Sequence, residues 1–197
     1  MIPDVKVDLC FKAVGTRIPV DHGFALYGTL SRVLPFIHGE NDLGLKLIRG
    51  RYIGDGMLDI SPHSELVLRI LADCIGSFLA LAGKTLDVLG CRLVVGIPAT
   101  RALVPSPVLH SHLVSTKNGH DQARFEAEMQ NQMGQMGAHG RVSVGQRRTF
   151  SVHGKQVVGY SLLVSELTAE ESILVQERGL GGRRKMGCGF FEATEDR

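Results

Sequence analysis

Apolar and polar residues alternate through VKVDLCFKAV (5–14), a period of two that predicts a strand. In DHGFALYGTLSRVLP (21–35) the period lengthens. Leu26, Leu30, Val33 and Leu34 share one helical face, and Pro35 stops the run. LGLKLIRGRYI (43–53) and ELVLRIL (65–71) predict strands, DCIGSFLALAG (73–83) a helix, and LDVLGCRLVVG (86–96) a closing strand. Three prolines and a glycine then interrupt the pattern in GIPATRALVPSP (96–107). Beyond them HSHLVSTK (110–117) predicts a strand, and DQARFEAEMQNQMGQMG (121–137) a helix with Phe125, Met129, Met133 and Met136 at core spacing. RVSVGQRRTFSVHGKQVVGYSLLVS (141–165) predicts a long hairpin turning at His153-Gly154. A further helix follows in LTAEESILVQERG (167–179), with Thr168 and Glu171 set as a capping box and Gly179 as the stop, and GCGFFEA (187–193) predicts a last strand.

Both halves thus have the order strand, helix, strand, strand, helix, strand. That order predicts an α+β fold of two tandem ferredoxin-like (RRM-like) βαββαβ domains, over residues 1–97 and 108–197, joined by a linker at 98–107. A chain of 197 residues with 44% hydrophobic content fits two such domains. The opening MIPDVKVDLC lacks the pattern of a signal peptide, and no apolar run reaches membrane-spanning length. A cytoplasmic protein with no membrane partner is expected. Cys10, Cys74, Cys91 and Cys188 are scattered, which suits reduced thiols better than a disulfide framework or zinc knuckle.

Net charge is only +2, but its distribution is uneven. No Asp or Glu occurs from 88 to 120 or from 129 to 165, and the second gap carries Arg141, Arg147, Arg148 and Lys155. A third acid-free stretch follows Glu177 and contains GLGGRRKMGCGFF (179–191), with five glycines and the run Arg183, Arg184, Lys185. A basic face of this kind attracts phosphate polymers. The glycine stretch follows a helix and precedes a strand, the reverse of a dinucleotide fingerprint or P-loop, so no nucleotide cofactor is expected. A flexible loop is expected instead, with the backbone of Gly179, Gly181 and Gly182 and the three cations wrapping a phosphate chain. Lys117, in STKNG, is a further candidate phosphate contact. His110 and His112 share a strand face with no third ligand beside them, so no metal site is expected.

GLGGRRKMGCGFF, with VVGYSLLVSELTAEESILVQERGLG before it, resembles the C-terminal signature of the CRISPR-associated endoribonucleases that cut precursor CRISPR RNA within each repeat. Within that family the chain is most similar to the compact form of type I systems. The resemblance implies metal-independent cleavage, in which a ribose 2′-hydroxyl attacks the adjacent phosphate and leaves a 2′,3′-cyclic phosphate. It implies a repeat stem-loop as substrate and Cascade-like effector subunits as partners. It also implies a histidine base near the first helix, which points to His22, in the first helical turn if Asp21 is the cap, or to His38 beyond Pro35. Tyr27 either assists the reacting centre or belongs to the apolar stripe. Two other readings share the fold: a non-catalytic subunit holding the guide's 3′ handle, and a small-molecule enzyme or sensor.

Overall fold

The computed structural model describes residues 5–194, which divide into two compact units, one through Ala102 and one from Leu103. No helix among the described residues is long and apolar enough to cross a membrane.

The first unit is built on β1 (Lys6–Val14), followed by β2 (Arg17–Pro19), α1 (Gly23–Val33), β3 (Gly44–Lys46), β4 (Arg51–Gly54) and β5 (Met57–Asp59). Then come β6 (Glu65–Leu71), α2 (Ile75–Phe78), β7 (Thr85–Val88) and β8 (Cys91–Ala102). The main sheet runs β3-β6-β1-β8-β7, so β1 lies between β6 and β8, with Leu9 opposite Leu68 on one side and Thr100 on the other. Leu26 and Leu30, one turn apart on α1, pack with Leu9, Phe11, Leu66 and Leu68 in a single core. Burying each such side chain contributes about 1.5–3 kcal/mol.

Four expectations need correction in this unit. LDVLGCRLVVG is not one closing strand but the hairpin of β7 and β8, which turns over Leu89-Gly90, both at positive φ. LGLKLIRGRYI is two strands, because the chain crosses a neighbouring strand at Gly50, where a Cβ would overlap the Asp59 carbonyl and stand 3.0 Å from Leu58 Cβ. The second piece turns over Asp55-Gly56, both at positive φ, into the small sheet β2-β5-β4. DCIGSFLALAG forms only one α-turn between two 3₁₀ turns, at Ala72–Cys74 and Leu79–Leu81. It has no side-chain cap, and Gly76 weakens the helix, so burial of Phe78 and Leu81 holds the segment in place. Finally, the expected linker at 98–107 gives up its first part to β8, which continues through Pro98 to Ala102.

The second unit contains β9 (Leu109–Ser115), α3 (Gln122–Gln135), β10 (Arg141–Val152), β11 (Lys155–Ser165), α4 (Ala169–Arg178) and β12 (Glu192–Ala193), with strand order β10-β11-β9-β12. Both units are ferredoxin-like: β1 lies between β6 and β8 in the first, as β9 lies between β11 and β12 in the second. The hairpin turns where expected, with φ of 50° at His153 and 73° at Gly154. Asp121 caps α3 by accepting from the Arg124 N–H at 3.0 Å, and the Thr168–Glu171 capping box forms on α4. Phe125, Met129 and Met133 are fully buried, and the Phe125 ring lies 4.8 Å from that of Tyr160. The expected final strand is cut to Glu192–Ala193, because GCGFF is occupied by tight turns.

Phe125→Ala should destabilise the second unit by about 3–5 kcal/mol, measured by urea unfolding followed through the amide signals of β11; a loss below about 1 kcal/mol would contradict this packing.

Candidate active site and nucleic-acid interface

His22 is itself the N-cap of α1, where Asp21 was expected. Its imidazole is 1% exposed, and its side chain does not cap the helix. Nδ1 lies 2.7 Å from the Pro19 carbonyl, and Nε2 accepts the Ile48 N–H at 3.0 Å. A carbonyl can only accept and an N–H can only donate, so the ring is the neutral tautomer protonated at Nδ1. Burial pushes its pKa below the ordinary 6.5, while carbonyl contacts to Pro19 and Val20 and the charge of Asp21 oppose the shift. Both nitrogens are engaged, so this histidine ties the start of α1 to the 46–51 segment and presents no base to a ligand.

His38 lies in the opposite situation. The 3₁₀ turn Pro35–His38 follows α1 and leaves the ring exposed. Its Nδ1 is 3.3 Å from the hydroxyl of Tyr27, and the two rings meet edge to face at 5.8 Å. Tyr27 is half-buried at the margin of the α1 core stripe, so it both packs and reaches out. An exposed imidazole oriented by a phenol is a competent general acid–base pair.

The glycine-rich segment is not the flexible loop expected. Gly182 N–H donates to the Ser115 carbonyl at 2.9 Å and Gly189 N–H to the Leu113 carbonyl at 2.7 Å, so the segment lies along the free edge of β9. Gly181 N–H donates to Gln132 Oε1 at 2.9 Å, and Met186 and Cys188 N–H turn back to the Arg183 carbonyl. The glycines serve close approach. A Cβ at Gly181 would stand 2.6 Å from the Ser115 carbonyl oxygen, while one at Gly179 would overlap the Gly189 carbonyl and one at Gly189 that of Leu180. All three have positive φ. Buried Leu180 and Phe191 anchor the ends. The N–H groups of Gly179, Gly181 and Gly182 are therefore engaged within the unit, not turned toward a phosphate.

The cations separate accordingly. The Arg184 guanidinium donates to the Arg178 carbonyl, at the negative end of α4. Arg183, held in the left-handed region, is exposed and its Nη1 reaches Ser115 Oγ at 3.4 Å. Lys185 is half-buried, and Lys117 and Lys155 are exposed. On the hairpin, a bulge between Val144 and Arg147 precedes the arginine pair. Arg147 then lies opposite Tyr160 on the helix-bearing face, and Arg148 opposite Gly159 on the other. Arg141, paired with Ser165, is at the far end of the strand from Lys155, roughly 35 Å away at about 3.3 Å per residue. The expected basic patch is thus dispersed.

One row survives. Arg148 faces Gly159, Gly159 faces Ser115, and Ser115 takes the Arg183 guanidinium, so two arginines share the face opposite the helices, with buried Gly159 between them beneath the Leu113 side chain. Arg148 Nη2 donates to Gln146 at 3.1 Å, while its Nε is buried without a hydrogen-bond partner among the described residues. A buried, unsatisfied guanidinium N–H is suited to an incoming anion. Sequence reasoning missed Ser115 and Gly159, which carry no charge and gain meaning only from strand register. Among the described residues, no group of three or more His, Cys, Asp or Glu is arranged to hold a metal.

Known proteins resemble this chain in sequence and in fold. The Cas6 CRISPR family model matches residues 7–196. A CRISPR-associated endonuclease Cas6 from Myxococcus xanthus (strain DK1622) is 38% identical over 194 residues, covering 95% of this chain and 81% of that protein. Among solved structures, a Cas6-related protein from Pyrococcus furiosus aligns with a TM-score of 0.66 at 12% identity, covering 98% of this chain and 99% of the other. The CRISPR endoribonuclease Cse3, solved bound to a 19 nt RNA, aligns at 0.52 with 14% identity, covering 96% and 100%. At such identities these two likenesses speak to the fold.

The His22 lock has a pH signature. Unfolded histidine takes up a proton below about 6.5 and the buried ring does not, so the stability it confers is present above that pH and is lost as pH falls. Wild type should lose up to ~1.4 kcal/mol per pH unit below 6.5 beyond what His22→Gln loses, measured by urea unfolding of the first unit at pH 7.5 and 5.5. Parallel losses would contradict the lock. Gly189→Ala should destabilise the second unit by roughly 2 kcal/mol or more, from overlap and positive φ together; a neutral effect in the same measurement would show that the loop is not seated.

Proposed function

The chain belongs to the Cas6 family of CRISPR-associated endonucleases, and on that premise we propose that it binds CRISPR repeat RNA and cuts the precursor transcript within the repeat, with His38 and Tyr27 at the reacting phosphate. The observation carrying this assignment is the contrast between two histidines: His38 exposed and paired with a phenol, His22 buried with both nitrogens engaged.

The chemistry follows from the pair. With Nδ1–H donating to the Tyr27 oxygen, the His38 Nε2 carries the lone pair of a neutral imidazole. It removes the proton from the ribose 2′-hydroxyl as that oxygen attacks the adjacent phosphorus. The bond from phosphorus to the 5′-oxygen breaks, and that oxygen leaves as a hydroxyl once protonated. The products are a 2′,3′-cyclic phosphate and a 5′-hydroxyl end. Atoms balance without water, so positioning and charge stabilisation supply the rate.

Arg148 and Arg183 hold the RNA backbone on the sheet face opposite the helices, with Arg147, Lys155, Lys117, Lys185 and Arg141 as outlying contacts. A stem-loop suits this arrangement, because the bases in the deep, narrow groove of A-form RNA are out of reach and the duplex is held through its backbone. With 6% aromatic residues and no tryptophan, the chain has little material for a stacking platform. The processed guide then stays on the protein through its 3′ handle, in a Cascade-like type I effector in the cytoplasm.

His38→Ala should slow single-turnover cleavage of repeat RNA in EDTA by about 10²–10⁴-fold while leaving the Kd within about threefold. His22→Gln should cut within a few-fold of wild type. If both cut normally the catalytic assignment is wrong, and if wild type binds without cutting the chain is a holding subunit. Arg148→Gln with Arg183→Gln should weaken binding and flatten its salt dependence by about one for each lost phosphate contact; an unchanged slope would place the RNA elsewhere.

A further inference from the structure

The first unit carries a second cationic surface that the reading above does not use. A groove of about 460 Å³ is lined by Lys46, Arg49, Arg51 and His63, with Asp59 and Glu65 among the remaining lining groups. We propose that this groove holds the backbone of a single-stranded RNA segment flanking the repeat hairpin, as a site separate from the arginine row of the second unit. The proposal rests on the reading of the chain as a repeat-RNA endonuclease.

Three pins on consecutive residues fix the groove's backbone before any ligand arrives. Ile48 N–H is held by the buried His22 ring, the Arg49 carbonyl accepts the Ser64 hydroxyl at 2.7 Å, and Gly50 is pressed on the Asp59 carbonyl where no Cβ fits. Ser64 Oγ also accepts the Ser61 N–H at 3.1 Å, which sets the opposite wall. Arg49 and Arg51, exposed on either side of Gly50, therefore project from a rigid crossing. Pre-organised cations bind an anion without the cost of ordering a loop.

The charges around the groove favour a polyanion. Both carboxylates are already matched, Asp59 by Arg51 at 3.3 Å and Glu65 by Arg101. The Arg51 partnership is exposed, with 81% of that side chain accessible, so a phosphate can share it at little cost. Apart from the His63 imidazole no aromatic ring lines the groove, which suits backbone contact more than base stacking. Its volume matches a nucleotide or two and not a duplex.

The test compares wild type with the double variant Arg49→Gln/Arg51→Gln by fluorescence anisotropy over a salt series. Two RNAs from the same genome are used: a repeat hairpin with its single-stranded flanks, and the hairpin alone. The variant should bind the flanked RNA about tenfold more weakly, with a salt slope lower by about 1.4 for two single-strand phosphate contacts, and bind the bare hairpin within twofold of wild type. Unchanged binding of the flanked RNA overturns the proposal, as does equal weakening toward both RNAs. A wild type that binds neither RNA overturns the RNA reading itself, and the groove's assignment with it.

Discussion

The second unit depends on backbone touching backbone along one strand edge. β9 is paired on one side by β11 and on the other by only two residues of β12, which leaves the rest of its edge to the chain between α4 and that short strand. Leu113 and Ser115 find their partners there because Gly179, Gly181 and Gly189 let carbonyls approach where a side chain would collide. An uncovered edge would leave unpaired carbonyls and a template for aggregation. Seating the segment also sorts its charges: Arg184 is drawn to the end of its own helix, and Arg183 is set over Ser115 in line with Arg148. The glycines thus set where the Arg183 and Arg184 side chains lie.

A comparable sorting governs the two histidines of the first unit. They lie 16 residues apart on either side of α1, and sequence alone offers each as a base. Burial decides between them. Enclosing His22 between the Pro19 carbonyl and the Ile48 amide fixes its tautomer and disfavours its charged form, making it a connector between α1 and the basic segment that follows β3. His38, in the turn that follows Pro35, stays exposed with the Tyr27 hydroxyl against its ring. One residue holds the scaffold and the other stands at the surface.

Where the fold is local, the sequence announces it. The hairpin at His153-Gly154, the capping box at Thr168 and Glu171, the α3 stripe of Phe125, Met129 and Met133, and the order of elements in the second half all follow from spacing and turn chemistry within a few residues. What escaped detection depends on partners distant in the chain. Gly50 reads as one residue within a strand until the Asp59 carbonyl is seen against it. The His22 lock needs Ile48, 26 residues away. The glycine-rich stretch looks flexible because glycine shows no packing signal of its own, and its constraints lie in partners distant in the chain, the Leu113 and Ser115 carbonyls of β9 and Gln132 of α3. The second helix fails because its sequence is a weak helix former, and burial of Phe78 and Leu81 fixes a mixed turn instead.

Hydrogen exchange at the Gly182 and Gly189 amides, in the protein without RNA, tests the seated edge most directly. Their bonds to the Ser115 and Leu113 carbonyls predict protection comparable to that of the β9–β11 amides. Exchange at the rate of an unstructured peptide would mean that the segment is loose until RNA arrives, and that the arginine row is not assembled in advance.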